Sequence, residues 1–256
     1  MKQCFSIMYI FKTINLSYNL LMKTIIRKSN ERLVTNIDWL KSYHTFSFGE
    51  HYDPNWMGFR NLRVINDDYI EPNQGFPFHP HRNMEIITFM LNGKLEHQDS
   101  LGNKSIIEPG ELQVMSAGRG IIHSEFSKSD NGLVHLLQIW ILPKEQNITP
   151  RYDQKQILNH SLKNCISLIA SDDPKDLEVM AINANAKIWK ANLENISTIN
   201  FTPSHYQNLW IHVFKGSVSV NDQRLEEGDS LGILDVNHEL IFKNLDKADF
   251  LIFELE

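Results

Sequence analysis

The sequence predicts an all-β protein made of two small β-barrels, with few and short helices. Two observations carry this prediction: short segments rich in β-branched and aromatic residues, and turn residues spaced evenly between them. The clearest strand candidates are residues 62–65, 85–91, 133–141 and 209–214. The turn candidates are residues 92–93, 101–103, 108–110, 130–132 and 227–229. One turn of helix is expected at residues 173–178, because Pro174 is tolerated at a first helical position.

A weak internal repeat indicates that the two barrels share one topology. Residues 92–97 are followed by residues 107–112, and later residues 215–220 are followed by residues 225–229. Each copy contains a glycine, a strand, a turn and then the pattern Glu-x-Gly-acid. We therefore expect a first domain over residues 23–145 and a second over residues 146–256, packed together and joined near residues 143–150.

The first 22 residues differ in character from the rest. The apolar-rich run from Cys4 to Phe11 ends at Lys12, so it is too short to span a bilayer. Residues 13–22 are mixed and lack a clear cleavage site. We interpret residues 1–22 as a dispensable extension, with Met22 as the start of a cytoplasmic protein.

Composition excludes several classes of function. The net charge of −6 and the lack of a Lys/Arg-rich run argue against direct nucleic-acid binding. The two cysteines, Cys4 and Cys165, are too few for a disulfide framework or a thiolate zinc site. We expect a monomer that acts on small molecules and has no membrane partner.

Two short motifs carry metal-ligand chemistry. They are His79-Pro80-His81 and, on a later segment, His123-Ser124-Glu125. Residues two apart on a strand point to the same face, so each motif presents both its ligands together. Three imidazoles and one carboxylate suit Fe(II), Mn, Ni, Cu or Zn. The corresponding part of the second half carries only His205, so the metal site is predicted in the first barrel alone.

Other residues compete for roles at this site. Glu85 lies an even number of residues from His81, so parity leaves it open whether Glu85 or Glu125 supplies the carboxylate. We interpret His44 as a candidate for lining an entrance and His135 as a core residue or one placed behind the ligands. His97, beside a turn, is given no role.

At these residues the sequence resembles the pirin family of bicupins. The resemblance rests on residues 75–82, Glu85 and residues 110–125, and extends upstream through residues 44–48, 53–54 and 63–68. The resemblance is strong from Ile25 to about Pro143, and over the rest of the chain it rests on the predicted architecture alone. Within the family, the chain is most similar to the bacterial pirin-like quercetin 2,3-dioxygenases. Asn83 departs from the pattern, because many pirins have glycine there.

The resemblance implies two cupin barrels, of which the N-terminal one binds a single metal ion. Iron, as Fe(II), is the usual metal, and Mn, Ni, Cu, Zn and Co are the alternatives. The family's ligands fall on His79, His81, His123 and Glu125. Glu85 then becomes a residue that supports the ligands from behind.

Two functions of different classes follow from the resemblance. The first is a dioxygenase that opens the heterocyclic ring of a flavonol such as quercetin with O2 and releases carbon monoxide. Glu125 would then be the base, and the aromatic and Met side chains would wall an apolar cleft: Phe46, Phe48, Phe59, Phe76 and Met115. The second is a redox-sensing or regulatory binding protein that holds the metal without turnover.

Overall fold

The computed structural model describes residues 23–130, 132–157, 163–194 and 198–256. The expected extension, residues 1–22, lies outside them. The described residues are almost entirely β, with one short 3-10 turn at Ser29–Glu31 and no α-helix. None of their helices could cross a membrane. The all-β prediction is confirmed.

The prediction of a helical turn at residues 173–178 is wrong. The backbone there forms bends and a turn. The Asp176 carboxylate accepts a hydrogen bond from the Glu178 backbone N–H at 3.0 Å, and the Ser171 hydroxyl accepts one from the Asp173 N–H at 3.1 Å. Such side-chain acceptors offer the backbone an alternative to helical bonds.

One compact unit contains Asn30–Ser161, Ile169–Lys187 and Leu255–Glu256, as far as these are described. Its strands are β2 (Leu33–Ile37), β3 (Leu40–His44), β4 (Leu62–Ile70), β5 (Gly75–His81), β6 (Glu85–Asn92), β7 (Leu95–Asp99), β8 (Lys104–Ile107), β9 (Glu111–Ser116), β10 (Ile121–Ser127), β11 (Val134–Ile141) and β12 (Arg151–Gln156). They form a seven-stranded sheet in the order β12-β9-β6-β11-β4-β3-β2 and a four-stranded sheet in the order β5-β10-β7-β8.

The other unit contains the described part of Met1–Ser29, Leu162–Leu168 and Ile188–Glu254. The remaining strands are β1 (Thr24–Arg27), β13 (Cys165–Ser171), β14 (Met180–Ala181), β15 (Ala186–Leu193), β16 (Thr198–Phe201), β17 (Asn208–Lys215), β18 (Ser217–Val220), β19 (Gln223–Glu226), β20 (Ser230–Ile233), β21 (Leu240–Asn244) and β22 (Ala248–Leu255). They form sheets in the orders β1-β20-β17-β22-β15-β13-β14 and β16-β21-β18-β19. A large apolar core that includes Trp189, Phe242 and Phe250 fills this unit.

The predicted repeat of topology is confirmed by the strand orders. The order β5-β10-β7-β8 in one unit corresponds to β16-β21-β18-β19 in the other, and β9-β6-β11-β4 corresponds to β20-β17-β22-β15. The repeated glycine turns occupy equivalent places, before β7 and β18 and before β9 and β20.

The compact units differ from the single division at residue 145 that the sequence predicts. Strand β12, which follows that point, pairs with β9 and completes the first sheet. Strand β1, near the start of the chain, pairs with β20 in the equivalent place of the second unit. The reason is physical: the outer edges of β9 and β20 each need a hydrogen-bonding partner, and a distant segment supplies it.

Candidate metal centre

The two ligand motifs lie on neighbouring antiparallel strands, β5 and β10. His123 pairs directly with His79, and Ile121 pairs with His81. Beyond His123 the register shifts, so that Glu125 pairs with Phe76. Two residues of β5, Pro77 and Phe78, therefore stand opposite one residue of β10, Ser124. Pro77 has no N–H to donate to the ladder. The pairing of β5 with β10 therefore brings the two motifs side by side, and the irregular register lies at Pro77.

Three histidines converge in the structure. His79, His81 and His123 each offer a ring nitrogen, and these three atoms lie within 4.8 Å of one another. The ring centroids of His79 and His123 are 4.4 Å apart, and those of His81 and His123 are 4.9 Å apart. His123 is only 1% exposed, whereas the other two are half-buried.

In two of these rings, the hydrogen-bond partners show which nitrogen is available to bind a metal ion. Nδ1 of His79 lies 2.8 Å from the carbonyl oxygen of Pro77, which can only accept, so Nδ1 carries a hydrogen, and the tautomer of this kind has its lone pair on Nε2. Nε2 of His123 is buried and has no hydrogen-bond partner among the described residues. A buried nitrogen without a partner, grouped with two further imidazoles, fits a metal ion.

Burial keeps two of the imidazoles neutral. It lowers the pKa of His81 to about 4, and the neighbouring His123 and His79 rings lower it further, against the opposing effect of Glu125. Burial likewise lowers the pKa of His123 to about 3, with His79 and His97 adding to the shift. Neutral imidazole is the form that binds a metal, so these two rings are ready to act as ligands at neutral pH.

Glu125 belongs to a second, overlapping group. Its carboxylate lies within 4.8 Å of ring nitrogens of His97 and His123, and all three residues are buried. Thr88 Oγ1 donates to Glu125 Oε1 at 3.3 Å, and Gln138 Nε2 donates to Oε1 and Oε2 at 3.3 and 3.1 Å. His123 is the member that both groups share.

The sequence interpretation missed His97. The residue lies on β7, directly opposite Glu125 on β10, and it is completely buried. Its Nδ1 is 3.4 Å from Nδ1 of His123, and its Nε2 is 3.3 Å from the Asp99 carboxylate. The pattern His97-Gln98-Asp99 has the two-residue spacing of the other motifs, and that spacing is the one feature that could have drawn attention to it.

Glu85 lies in neither group of candidate ligands. Its Oε2 accepts hydrogen bonds from the Ser116 hydroxyl at 2.8 Å and from the Asn183 backbone N–H at 2.9 Å. Burial raises its pKa, although those two hydrogen bonds and the nearby Arg151 and Lys144 oppose the change. Its contacts join β6 to β9 and to the segment around Asn183.

Asn83 occupies a position that explains its departure from the family pattern. Its φ of 50° lies in the left-handed region, which glycine and asparagine adopt more readily than other residues. Its side-chain oxygen accepts a hydrogen bond from the Asn147 N–H at 2.7 Å. Asparagine therefore keeps the backbone shape that glycine would have and adds a link to a neighbouring loop.

A cavity of about 90 Å³ opens beside the histidines. It is lined by Thr35, Leu40, Ser42, His44, Phe48, Asn66, Asp68, Phe76, His79, Glu125, Gln138 and Trp140. Two of the predicted wall residues, Phe48 and Phe76, line it, and so does His44, which was predicted at the entrance. Met115 instead packs in a core cluster with Ile86, Ala117 and Ile121, and Phe46 is 1% exposed and not among the lining residues.

Two titratable groups in the cavity wall are shifted by burial. Burial lowers the pKa of His44, although the hydrogen bond from its Nδ1 to Asn66 Oδ1, 2.8 Å long, favours the protonated ring. Burial raises the pKa of Asp68 to about 7. The negative charges of Asp67 and Glu125 also raise it, whereas a hydrogen bond from Ser42 lowers it. Oδ1 of Asp68 is buried without a partner among the described residues.

Similar proteins agree with this architecture. Residues 27–141 match the Pirin family, and residues 168–255 match the quercetinase C-terminal cupin domain. A quercetin 2,3-dioxygenase of Escherichia coli (strain K12) is 43% identical over 231 residues, which cover 90% of this chain and 97% of that protein.

Solved structures give the same result. YhhW from Escherichia coli matches with a TM-score of 0.86 and 41% identity, over 91% of this chain and 97% of that one. The bacterial pirin YhhW in complex with nickel(II) matches with a TM-score of 0.85 and 41% identity, over 91% and 98% of the two chains. This chain therefore belongs to the pirin family, with a pirin domain followed by a second, quercetinase-type cupin domain.

Proposed function

We propose that this protein is a metal-dependent dioxygenase that opens the heterocyclic ring of a flavonol such as quercetin with O2 and releases carbon monoxide. One observation carries the proposal: three imidazoles converge, and one of them, that of His79, lines a cavity whose wall also contains a buried carboxylate, Glu125. The name of the 43%-identical relative supports the choice of flavonol cleavage.

The proposed ligands are His79, His81, His123 and Glu125. Fe(II) is the proposed metal, with Mn, Ni, Cu, Zn and Co as alternatives, because nitrogen and oxygen ligands discriminate poorly among these ions. The nickel(II) complex of the similar pirin YhhW supports a site that accepts divalent ions. A metal bound there supplies Lewis-acid chemistry, which lowers the pKa of a flavonol hydroxyl that binds to it.

Glu125 is the proposed base for the 3-hydroxyl proton of the flavonol. Oε1 accepts hydrogen bonds from both Thr88 and Gln138, whereas Oε2 accepts one, from Gln138. Oε2 therefore has more unused acceptor capacity and is the oxygen proposed to take the proton. Thr88 and Gln138 hold the carboxylate in one orientation, as proton transfer requires.

The size of the cavity limits how a flavonol can bind. Its volume of about 90 Å³ is well below the roughly 300–1,000 Å³ of typical small-molecule sites. We propose that the ring edge with the 3-hydroxyl enters the cavity, while the rest of the flavonol stays at the mouth. The half-buried side chains of Phe48 and Trp140, which meet edge to face with ring centroids 5.3 Å apart, offer aromatic surface there.

The test uses the full chain, stripped with a chelator and reloaded separately with Fe(II), Mn, Ni, Cu, Zn or Co. Quercetin is added in air, and both the loss of flavonol absorbance and the carbon monoxide released are measured, with an anaerobic sample as the blank. We expect stoichiometric carbon monoxide with at least one metal. Absence of carbon monoxide with every metal would refute the dioxygenase and leave the alternative, a metal-holding regulatory protein without turnover.

A pair of variants tests the site itself. His123→Ala should abolish both metal retention and turnover. His135→Ala is the matched control, because His135 lies in the same unit and binds Asp67 at 2.6 Å but belongs to neither group of candidate ligands. Full activity in His123→Ala would show that the site has been assigned wrongly.

A further inference from the structure

His97 and Asp99 lie directly behind His123. Both are on β7, two residues apart, and β7 pairs with β10 so that Asp99 faces His123 and His97 faces Glu125. His97 is 0% exposed and Asp99 is 8% exposed. A buried imidazole and a buried carboxylate therefore stand beside the one histidine that both candidate ligand groups share.

Asp99 is held as an acceptor. Its Oδ1 accepts from the backbone N–H groups of Leu101 and Asn103 at 2.9 and 3.1 Å, and its Oδ2 accepts from Asn103 Nδ2 at 2.8 Å. Burial alone would raise the pKa of Asp99, but the hydrogen bonds from Asn103, His97 and Leu101 leave it below its usual value. With three N–H donors already directed at it, the carboxylate acts as an acceptor for Nε2 of His97 as well, at 3.3 Å.

This fixes the hydrogens of the two histidines in turn. In the tautomer of His97 that carries its hydrogen on Nε2, Nδ1 has the lone pair. That lone pair is 3.4 Å from Nδ1 of His123, which must then donate its hydrogen. The lone pair of His123 is left on Nε2, the same atom that is buried without a partner. With the opposite tautomer, a hydrogen on Nε2 of His123 would block a metal.

We propose that His97 and Asp99 are positioning residues, which orient His123 and keep its Nε2 free as a metal ligand. Outer partners of this kind raise ligand basicity and typically change metal affinity by about 10- to 100-fold. The inference rests on the proposed metal centre, but it does not depend on which substrate the protein cleaves. The competing assignment is that His97 is itself a ligand, together with His123 and Glu125.

The first test needs no variant. Long-range ¹H–¹⁵N spectra of the metal-free protein at pH 7 report which nitrogen of each histidine carries the hydrogen. We expect the hydrogen on Nε2 of His97 and on Nδ1 of His123. A hydrogen on Nε2 of His123 would overturn the proposal, whatever the protein does with a flavonol.

The second test measures the dissociation constant for Ni(II) by calorimetry in two variants. His97→Phe removes the acceptor, and we expect affinity to fall by about 10- to 100-fold. His97→Asn places an amide oxygen near the position of Nδ1, so it should accept from His123 and recover most of that loss. Equal losses in both variants would overturn the positioning role.

Copper-loaded protein separates positioning from direct ligation. Pulsed EPR of the Cu(II) form counts coordinated imidazoles, and the count should be the same in wild type and His97→Asn. A count lower by one would make His97 a ligand and refute the proposal.

The control is His135→Phe, which removes another His–Asp contact in the same unit, to Asp67. Its Ni(II) affinity should match wild type. If nickel follows these expectations while quercetin is not cleaved, the dioxygenase proposal fails and this inference stands. If wild type binds no metal, the metal centre itself fails, and the tautomer spectrum decides the arrangement of the two histidines.

Discussion

Replacing Asp68 with Asn should stabilise the metal-free protein, and by much more at pH 8 than at pH 5. Asp68 is 3% exposed in the wall of the cavity, and burial raises its pKa from 3.8 to about 7, against the hydrogen bond from Ser42. Asp67 and Glu125 add like charge to the same region. Asn has nearly the same shape and carries no charge, so the substitution removes the cost of ionising a buried group.

The sign and size follow from proton linkage. The folded pKa lies above the unfolded one, so the folded protein binds more protons between about pH 4 and 7, and its stability falls as the pH rises through that window. The raised pKa of Asp68 lowers the free energy of unfolding by about 2 kcal/mol at pH 5, where only the unfolded side chain is ionised, and by about 4 kcal/mol at pH 8, if each unit of pKa is worth about 1.4 kcal/mol. The stabilisation by Asp68→Asn should therefore be larger at pH 8 by about 2–3 kcal/mol.

The assay is urea denaturation of both proteins in a chelator at pH 5 and pH 8. Asp153→Asn on β12 is the control, because the Asp153 side chain is 38% exposed. NMR titration of the aspartate carboxyl carbons reads the Asp68 pKa directly. The reasoning is refuted if Asp68→Asn changes the free energy of unfolding equally at the two pH values, or if the carboxyl carbon titrates near pH 4.

Three further predictions concern the ligands, the strand pair and the second unit. The pKa values of His81 and His123, about 4 and about 3, lie below the unfolded value of 6.5, so the metal-free protein should lose stability as the pH falls from about 6.5 toward 4. NMR spectra at pH 5.5 should show both rings neutral, and two charged rings there would contradict the prediction. A Cβ on Gly75 would lie 2.1 Å from the carbonyl oxygen of Glu125, so Gly75→Ala should destabilise the protein by about 1–3 kcal/mol and weaken Ni(II) binding in calorimetry. Gly132→Ala, where an added Cβ would meet open space, should leave Ni(II) affinity unchanged, and equal weakening in both variants would show that displacement of Glu125 is not the cause. Glu254 is 0% exposed and accepts hydrogen bonds from Trp189 Nε1, at 2.8 Å, and from the Ser204 N–H. Glu254→Gln keeps one acceptor oxygen and Glu254→Leu keeps none, so urea denaturation should show a larger loss of unfolding free energy for Glu254→Leu. The opposite order would mean that these donors find other partners.

Local patterns were enough to predict much of the fold and part of the site. Turn residues and β-rich segments gave the strands around residues 85–91 and 209–214, and both lie in strands of the structure, β6 and β17. The two-residue spacing put His79 and His81 on one face of β5, because alternation along a strand is a property of the backbone itself. Such features depend on neighbours in the chain, which a sequence displays directly.

Other parts of the site depend on which strands become neighbours. His97 lies beside His123 because β7 pairs with β10, and nothing in the spacing of His97-Gln98-Asp99 identifies that partner strand. Met115 was predicted as a wall of the cavity but packs in the core, because an apolar residue on a strand suits either role until the opposite layer is known. The register shift beyond His123 likewise appears only when β5 and β10 meet.

The chain's own residue order determined the all-β class, the repeated barrel topology and the two ligand motifs, each with its side chains on one face of a strand. These follow from alternation, turn chemistry and ligand type, which act over a few residues. The tertiary structure decided that β12 and β1 close the edges of their sheets, that Glu125 lies with His97 and His123, and that Asp99 contacts His97. Backbone hydrogen bonds between strands are nearly the same for any sequence, so the choice of partner is made by packing of the whole unit, which no local pattern records.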